Sequence, residues 1–318
     1  MISQTPSTSI SAVAMDRGSY RHLFAPEVRY PLLLAVDNDD SAPAAIELTA
    51  ALAERGAEPT VLKIVELLSP ATGRNAAETT FAFAQAALGR DVGQHQQNLI
   101  SYIMQETLGD APDWPRKTVV GDPASAIVSQ ADELRADLLV MGIQQHGKFA
   151  RLLGENTATR VMAKASMPVL GVRPQTIRLP RLVMVATDFG KSSWETAHIA
   201  ANLVSPGGTV VIAHVSWSPP VIDETDEGAA LIQTEGIERV FERLADELKT
   251  GRSIDVKLVV RQGDAGTELL AAADQINPDL IASASQRHRL LTRLLVGSVS
   301  RKLVLDGRWS TLITPPIA

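Results

Sequence analysis

The sequence predicts two doubly wound α/β domains arranged in tandem. Three observations carry this reading: short apolar runs alternate with segments of helical periodicity, most connections between them are short, and one long stretch occurs twice. Sliding Val119 to Pro174 forward by 142 positions lands it on Arg261 to Pro316 without a gap. Gly121-Asp122 falls on Gly263-Asp264, Ala131-Asp132 on Ala273-Asp274, Asp137-Leu138 on Asp279-Leu280, Arg151-Leu152-Leu153 on Arg293-Leu294-Leu295, and Pro174 on Pro316. With Gln144, His146 and Leu170 this makes thirteen identities in fifty-six positions, against about three from ordinary residue usage, so the chain is a duplication.

In the first half, Tyr30 to Asp37 is a continuous apolar run ending in a carboxylate, as expected of a strand buried on both faces of a parallel sheet. Asp39, Asp40 and Ser41 are candidate caps for the next helix, with Pro43 just inside and Ile46, Leu48, Ala50, Leu52 and Ala53 on its apolar side. Thr60 to Glu66 reads as a strand after the separator Arg55 to Pro59. Thr79 to Leu88 and Gln97 to Leu108 read as helices of a lid or crossover, the latter with Leu99, Ile100, Ile103 and Met104 on one face. A strand at Lys117 to Val120, a helix at Ala124 to Leu134 and a strand at Asp137 to Gly142 follow. After a polar loop, a helix at Phe149 to Ala165 and a strand at Pro168 to Val172 close the unit.

About seven residues, Pro174 to Pro180, then lead into the second half, so the two units should sit against each other. Strands are expected at Arg181 to Asp188, Thr209 to Val215, Val256 to Val260, Asp279 to Ala282 and Thr311 to Ile313. Helices are expected at Ser192 to Leu203, Glu235 to Leu248, Ala265 to Gln275 and Leu290 to Leu305. Parallel neighbours need crossovers, and right-handed crossovers make each half a five-stranded parallel sheet covered on both faces. Ligands of such sheets bind at the carboxyl ends of the strands, where Asp37, Asp188 and the loops after Gly142 and Ala284 fall.

The 318 residues suffice for two ordinary domains, and 45% hydrophobic against 21% charged residues leaves material for two cores. A net charge of -6 argues against a nucleic-acid binder, which carries a surplus of Lys and Arg. With no cysteine, disulfides, thiolate metal sites and Cys nucleophiles are excluded. No apolar run reaches the roughly 18 residues of a membrane span, and the start of the chain lacks the pattern of a secretion signal. A cytoplasmic protein with a flexible extension over residues 1 to 29 is expected.

Val36-Asp37-Asn38-Asp39 and Thr187-Asp188-Phe189-Gly190 resemble the V-D-G-S end of the first strand in the universal stress protein family. Gly121-Asp122-Pro123 to Ile127 with Ala136 to Gly142 resembles the family's G-D-P-x-x-x-I before A-D-L-I-V-M-G. The resemblance covers residues 30–174 and 181–316, as in the family's tandem members, and implies a Rossmann-like fold of the adenine-nucleotide alpha-hydrolase type. It also implies a stress-responsive regulatory or binding protein with a site for ATP or ADP and Mg.

In the family, nucleotide binding goes with Gly-x2-Gly-x9-Gly-Ser/Thr, whose glycines let backbone amides approach phosphates and whose last pair opens a helix. Both copies depart from it. The first keeps Gly142 but has Gln145, Glu155 and Asn156 at the other positions, with Gly147 and Gly154 out of register. The second has Ala284 and Arg287 for the first two glycines and keeps Gly297-Ser298. A carboxylate at Glu155 beside a phosphate costs about 1 to 3 kcal/mol without a bridging metal, whereas Arg287, Arg289 and Arg293 favour an anion.

The resemblance thus places a nucleotide against Asp37, Ile64, Gly142 and Asn156 in the first half, and Asp188, Val215, Arg287, Gly297 and Ser298 in the second. Asp37 and Asp188 face base and ribose in that reading, or cap the following helices in the alternative. Ile64 and Val215 contact adenine or pack the core. Arg287, His288, Arg289, Arg293, Arg301 and Lys302 form a basic cluster that lines an anion site or a solvated face. Gln144-x-His146 and Gln286-x-His288 recur at one loop position, each His alone and so unlike a metal site.

Asp188-Phe189-Gly190 imitates a kinase triplet without the accompanying Gly-rich or catalytic loop, and no nucleophile elbow occurs. No catalytic constellation is present, which leaves three readings: a nucleotide-responsive regulator, a protein-interaction module without nucleotide, and a slow ATPase. The last strands, Pro168 to Val172 and Thr311 to Ile313, are expected to pair the two halves internally about a pseudo-twofold axis, with dimerisation of the whole chain left open.

Overall fold

Leu32 and Leu34 enter one core while Leu33 and Ala35 enter another, as the two-residue period of a strand buried on both faces requires. The computed structural model describes residues 19–25, 28–36, 40–65, 112–143, 157–176, 179–216, 226–285 and 298–317. Its first half comprises β1 (Tyr30–Val36), α1 (Ala42–Ala53), β2 (Ala57–Val65), β3 (Arg116–Val120), α2 (Pro123–Glu133), β4 (Leu138–Gly142), α3 (Thr157–Lys164) and β5 (Val169–Val172). The second half comprises β6 (Leu182–Thr187), α4 (Lys191–Leu203), β7 (Thr209–Ser216), α5 (Asp226–Lys249), β8 (Asp255–Gln262), α6 (Ala265–Ile276), β9 (Leu280–Ala284), α7 (Ser298–Asp306) and β10 (Ser310–Thr314).

The strands form one sheet of ten in the order β3-β2-β1-β4-β5-β10-β9-β6-β7-β8. Within each half the order is the doubly wound 3-2-1-4-5 with parallel neighbours, while β5 and β10 pair antiparallel. Leu170 lies opposite Leu312, its own counterpart in the duplication, so the pseudo-twofold axis passes between them. Joining these strands removes two sheet edges that would otherwise stand open.

One apolar layer runs unbroken across both halves under α1, α4 and α5. On the opposite face, two separate cores lie under α2 and α3 and under α6 and α7. Arg173, just past β5, is buried at the join. It donates from Nη2 to the carbonyls of Val304 (2.8 Å) and Gly307 (2.6 Å) at the carboxyl end of α7, and from Nε to Trp309 O (3.4 Å).

The starts of β2 and α5 differ from expectation by several residues. β2 begins at Ala57, inside the stretch read as a separator. Val61 N donates to Pro115 O on the outer side, so Pro59 turns its missing N–H to that side before β3 begins, and a proline is tolerated there. The helix α5 starts at Asp226, and Gly236 within it meets no close neighbour and does not end it. α3 and α7 are described from Thr157 and Ser298, so the earlier parts of the helices expected there lie outside the described residues, as do the two helices expected between 79 and 108.

The extension expected to be flexible over residues 1 to 29 is packed where it is described. Leu23 and Phe24 are buried, with the Phe24 ring edge-on to Tyr30 at 6.0 Å. Its Ser- and Thr-rich composition hid two apolar side chains whose cavity is built by residues far along the chain.

Candidate functional site

In a doubly wound half the strand order reverses between its first and fourth strands, and the crevice at their carboxyl ends is where a ligand sits. In the second half that point lies between β6 and β9, and in the first between β1 and β4.

The end of β6 is held by a chain of short hydrogen bonds. Phe189 N donates to Thr187 Oγ1 (2.9 Å), Thr187 Oγ1 to Ser193 Oγ (3.0 Å), and Ser193 Oγ to Asp188 Oδ1 (2.7 Å). Gly190 N also donates to Asp188 Oδ1 (2.8 Å), closing an Asx turn into α4. Phe189 is left-handed, with φ 57°, and its ring lies 5.1 Å from that of His214 on β7. His214 Nδ1 bonds the carbonyl of Thr187 at 2.9 Å, so Nδ1 carries the proton and a neutral ring offers Nε2 as acceptor.

At the end of β9, Ser300 Oγ donates to Ala284 O (3.1 Å) and lies 3.1 Å from Ser283 Oγ, which ties the first turn of α7 to the strand. Ser298 is the first described residue of α7 and is exposed. Asp188, Val215 and Ser298 therefore share the carboxyl edge of the second half. Val215 is partly buried on the core beneath α6 and α7, and Ile64 packs likewise on the first half's core. Gly142 ends β4 beside Val172. Asp37, Asn156, Arg287 and Gly297 lie outside the described residues, as do both Gln-x-His pairs.

Of the basic cluster, Arg301 and Lys302 lie within the described residues. Lys302 Nζ donates to Thr267 Oγ1 (2.7 Å) and pairs with Asp264 (3.4 Å), so it braces the start of α6. The recurring Gly-Asp also proves structural. Asp122 accepts from Ser125 N and Asp264 from Thr267 N, each capping a helix. Ser125's backbone N–H, with Arg160 in support, lowers Asp122 to about 2.

Sequence reasoning missed His214, Thr187 and Ser193. The Asp188-x4-Ser193 spacing at a strand-to-helix turn was the available signal, whereas His214 had none. Two clefts, of about 390 and 350 Å³, lie at the other edge of the sheet. They are related by the duplication through Asp137 with Asp279 and Met167 with Trp309, and Asp279 there accepts from the N–H groups of Arg181 and Leu182. Among the described residues no group of three or more His, Asp or Glu is placed to hold a metal, and no helix is long and apolar enough to cross a membrane.

Comparison with known proteins adds the lineage of this arrangement. The profile of the universal stress protein family matches residues 30–173 and 181–315. A universal stress protein of Mycobacterium tuberculosis is 24% identical over 204 residues, 60% of this chain and 68% of that protein. The crystal structure of a universal stress protein from Archaeoglobus fulgidus superposes over 92% of this chain and 98% of its own, with TM-score 0.59 and 19% identity. A protein from Pseudomonas aeruginosa superposes over 91% and 93%, with TM-score 0.56 and 14% identity. At such identities the solved structures show a shared fold.

Proposed function

Because the chain belongs to the universal stress protein family through both of its halves, we propose that it is a cytoplasmic, stress-responsive binding protein whose second half takes ATP or ADP. The observation that carries this reading is the carboxyl edge of that half. An ordered Asp188 turn and an exposed Ser298, the first described residue of α7, flank the point where the strand order reverses. On the family's pattern Ser298 stands at the start of its helix, and phosphates would sit beside it, where first-turn backbone N–H groups and the helix dipole favour negative charge. The Phe189 and His214 rings, tilted 41° to each other, would offer aromatic contact to the base. Asp188 shapes the turn with one oxygen, so its contact with a nucleotide would be secondary to that task.

The departures from the family's glycine pattern favour a second reading, a protein-interaction module without nucleotide. Gln145 and Glu155 in one copy and Ala284 and Arg287 in the other stand where the pattern has glycines, the residues that let a backbone approach phosphates most closely.

Denaturing freshly purified protein, identifying released nucleotide by mass spectrometry, and titrating stripped protein with Mg-ATP and Mg-ADP by calorimetry separates the two. Micromolar binding that Gly297→Phe abolishes is the expected result; unchanged affinity in that variant removes the second-half site. No heat at millimolar nucleotide leaves the interaction module. Turnover of bound ATP in the same sample would instead make the protein a slow ATPase.

A further inference from the structure

Residues 19–25 lie across the seam between the two halves and are bonded to both. On the second half, Glu195 of α4 receives three donors: Ser19 Oγ (2.6 Å) and Tyr20 N (2.9 Å) at one oxygen, and Arg21 Nε (2.5 Å) at the other. Two turns along the same helix face, Asn202 Nδ2 donates to the carbonyls of Arg21 (2.8 Å) and Leu23 (3.0 Å), and its Oδ1 accepts from Arg252 (2.7 Å). On the first half, Tyr20 OH donates to Ser166 O (2.7 Å) and His22 Nε2 lies 3.2 Å from Asp137. Leu23 and Phe24 complete the attachment by entering the apolar layer common to both halves.

The duplication supplies an internal control. Aligning Asp37 with Asp188 sets Leu48 on Ile199 and Leu52 on Leu203, and it sets Glu195 and Asn202 on Ala44 and Ala51. A helix in this setting needs only alanine at those positions. The two polar side chains of α4 serve the segment, and nearly all their partners belong to it or, like Arg252, orient one of them.

We propose that residues 19–25 form a clasp over the seam, held by Glu195 and Asn202, which opens as a unit while the sheet stays folded. Its hold is a handful of hydrogen bonds and two buried side chains, whereas the sheet beneath is secured by its own ladder and a far larger core, so the two have separate stabilities. The clasp bears on how tightly the halves are bound together whether or not a nucleotide occupies the second half.

Hydrogen exchange of the full chain, read by mass spectrometry, tests this with the variant carrying Glu195→Ala and Asn202→Ala, which gives α4 the residues that α1 already tolerates. Amides at Tyr20, Leu23 and Ala25 should exchange roughly tenfold faster or more, with β1 and β6 unchanged. Protection of 19–25 that is unaltered, or that is lost only together with β1 and β6, overturns the proposal. Glu195→Gln keeps the shape but removes the charge, and should give a smaller rise confined to 19–25; no rise there also overturns it.

Discussion

Arg173 carries a guanidinium into a region from which water is excluded, and burial lowers its pKa. Its partners are carbonyls, two of them at the end of α7, where the helix dipole is negative. Removing it leaves those oxygens without a donor and opens a cavity between the halves. Arg173→Ala should lower stability by about 2 to 4 kcal/mol in urea titrations. Arg308→Ala, at a half-exposed position paired with Asp274, should change it by less than about 1 kcal/mol. Equal effects would mean that the buried bonds contribute nothing beyond a surface contact. Nothing about Arg173 in the sequence marks it as buried, since an arginine after a strand is ordinarily solvated. Asp188 is the reverse case. Its place at a strand end was legible, but whether its carboxylate meets a ligand or caps its own turn depends on Gly190 and Ser193 coming into reach.

At the scale of elements, local patterns were most reliable where they carry their own chemistry. Gly121-Asp122-Pro123 announces a helix start because the Asp side chain accepts the orphan N–H of Ser125 and proline suits the first turn. Asp122→Ala should cost about 1 kcal/mol, and Asp122→Asn, which still accepts that bond, less. The pH dependence has a definite sign. The folded pKa, about 2, lies below the ordinary 3.8, so this contribution is present above 3.8 and is lost as pH falls toward 2. Urea titrations of Asp122→Asn should show a shallower loss over that window than the parent; parallel curves would remove the cap from acid stability. Boundaries were least legible where a neighbour decides them, as with Pro59, whose place in β2 depends on where β3 begins.

At the scale of the whole molecule, the antiparallel join of β5 and β10 and the unbroken layer under α1, α4 and α5 make the two halves one structural unit. Calorimetry should show a single unfolding transition, and Leu312→Ala, at the pseudo-twofold axis, should lower stability by about 2 to 5 kcal/mol. Two resolved transitions in the parent protein would mean that each half is stable without the other. The duplication, the alternation of strands and helices, the parallel order within each half and the helix start after Gly121-Asp122 were determined by the sequence itself, whereas Ser41, a cap candidate for α1, makes no side-chain cap bond. Each depends on periodicity, turn chemistry or self-similarity, which neighbouring residues record. Only the tertiary structure decided that Arg173 is buried, that His214 stands beside Phe189, and that Ser19 bonds Glu195 from 176 positions away. Those facts depend on which surfaces meet after the sheet has formed, and bonds between residues so far apart leave no local pattern in the chain.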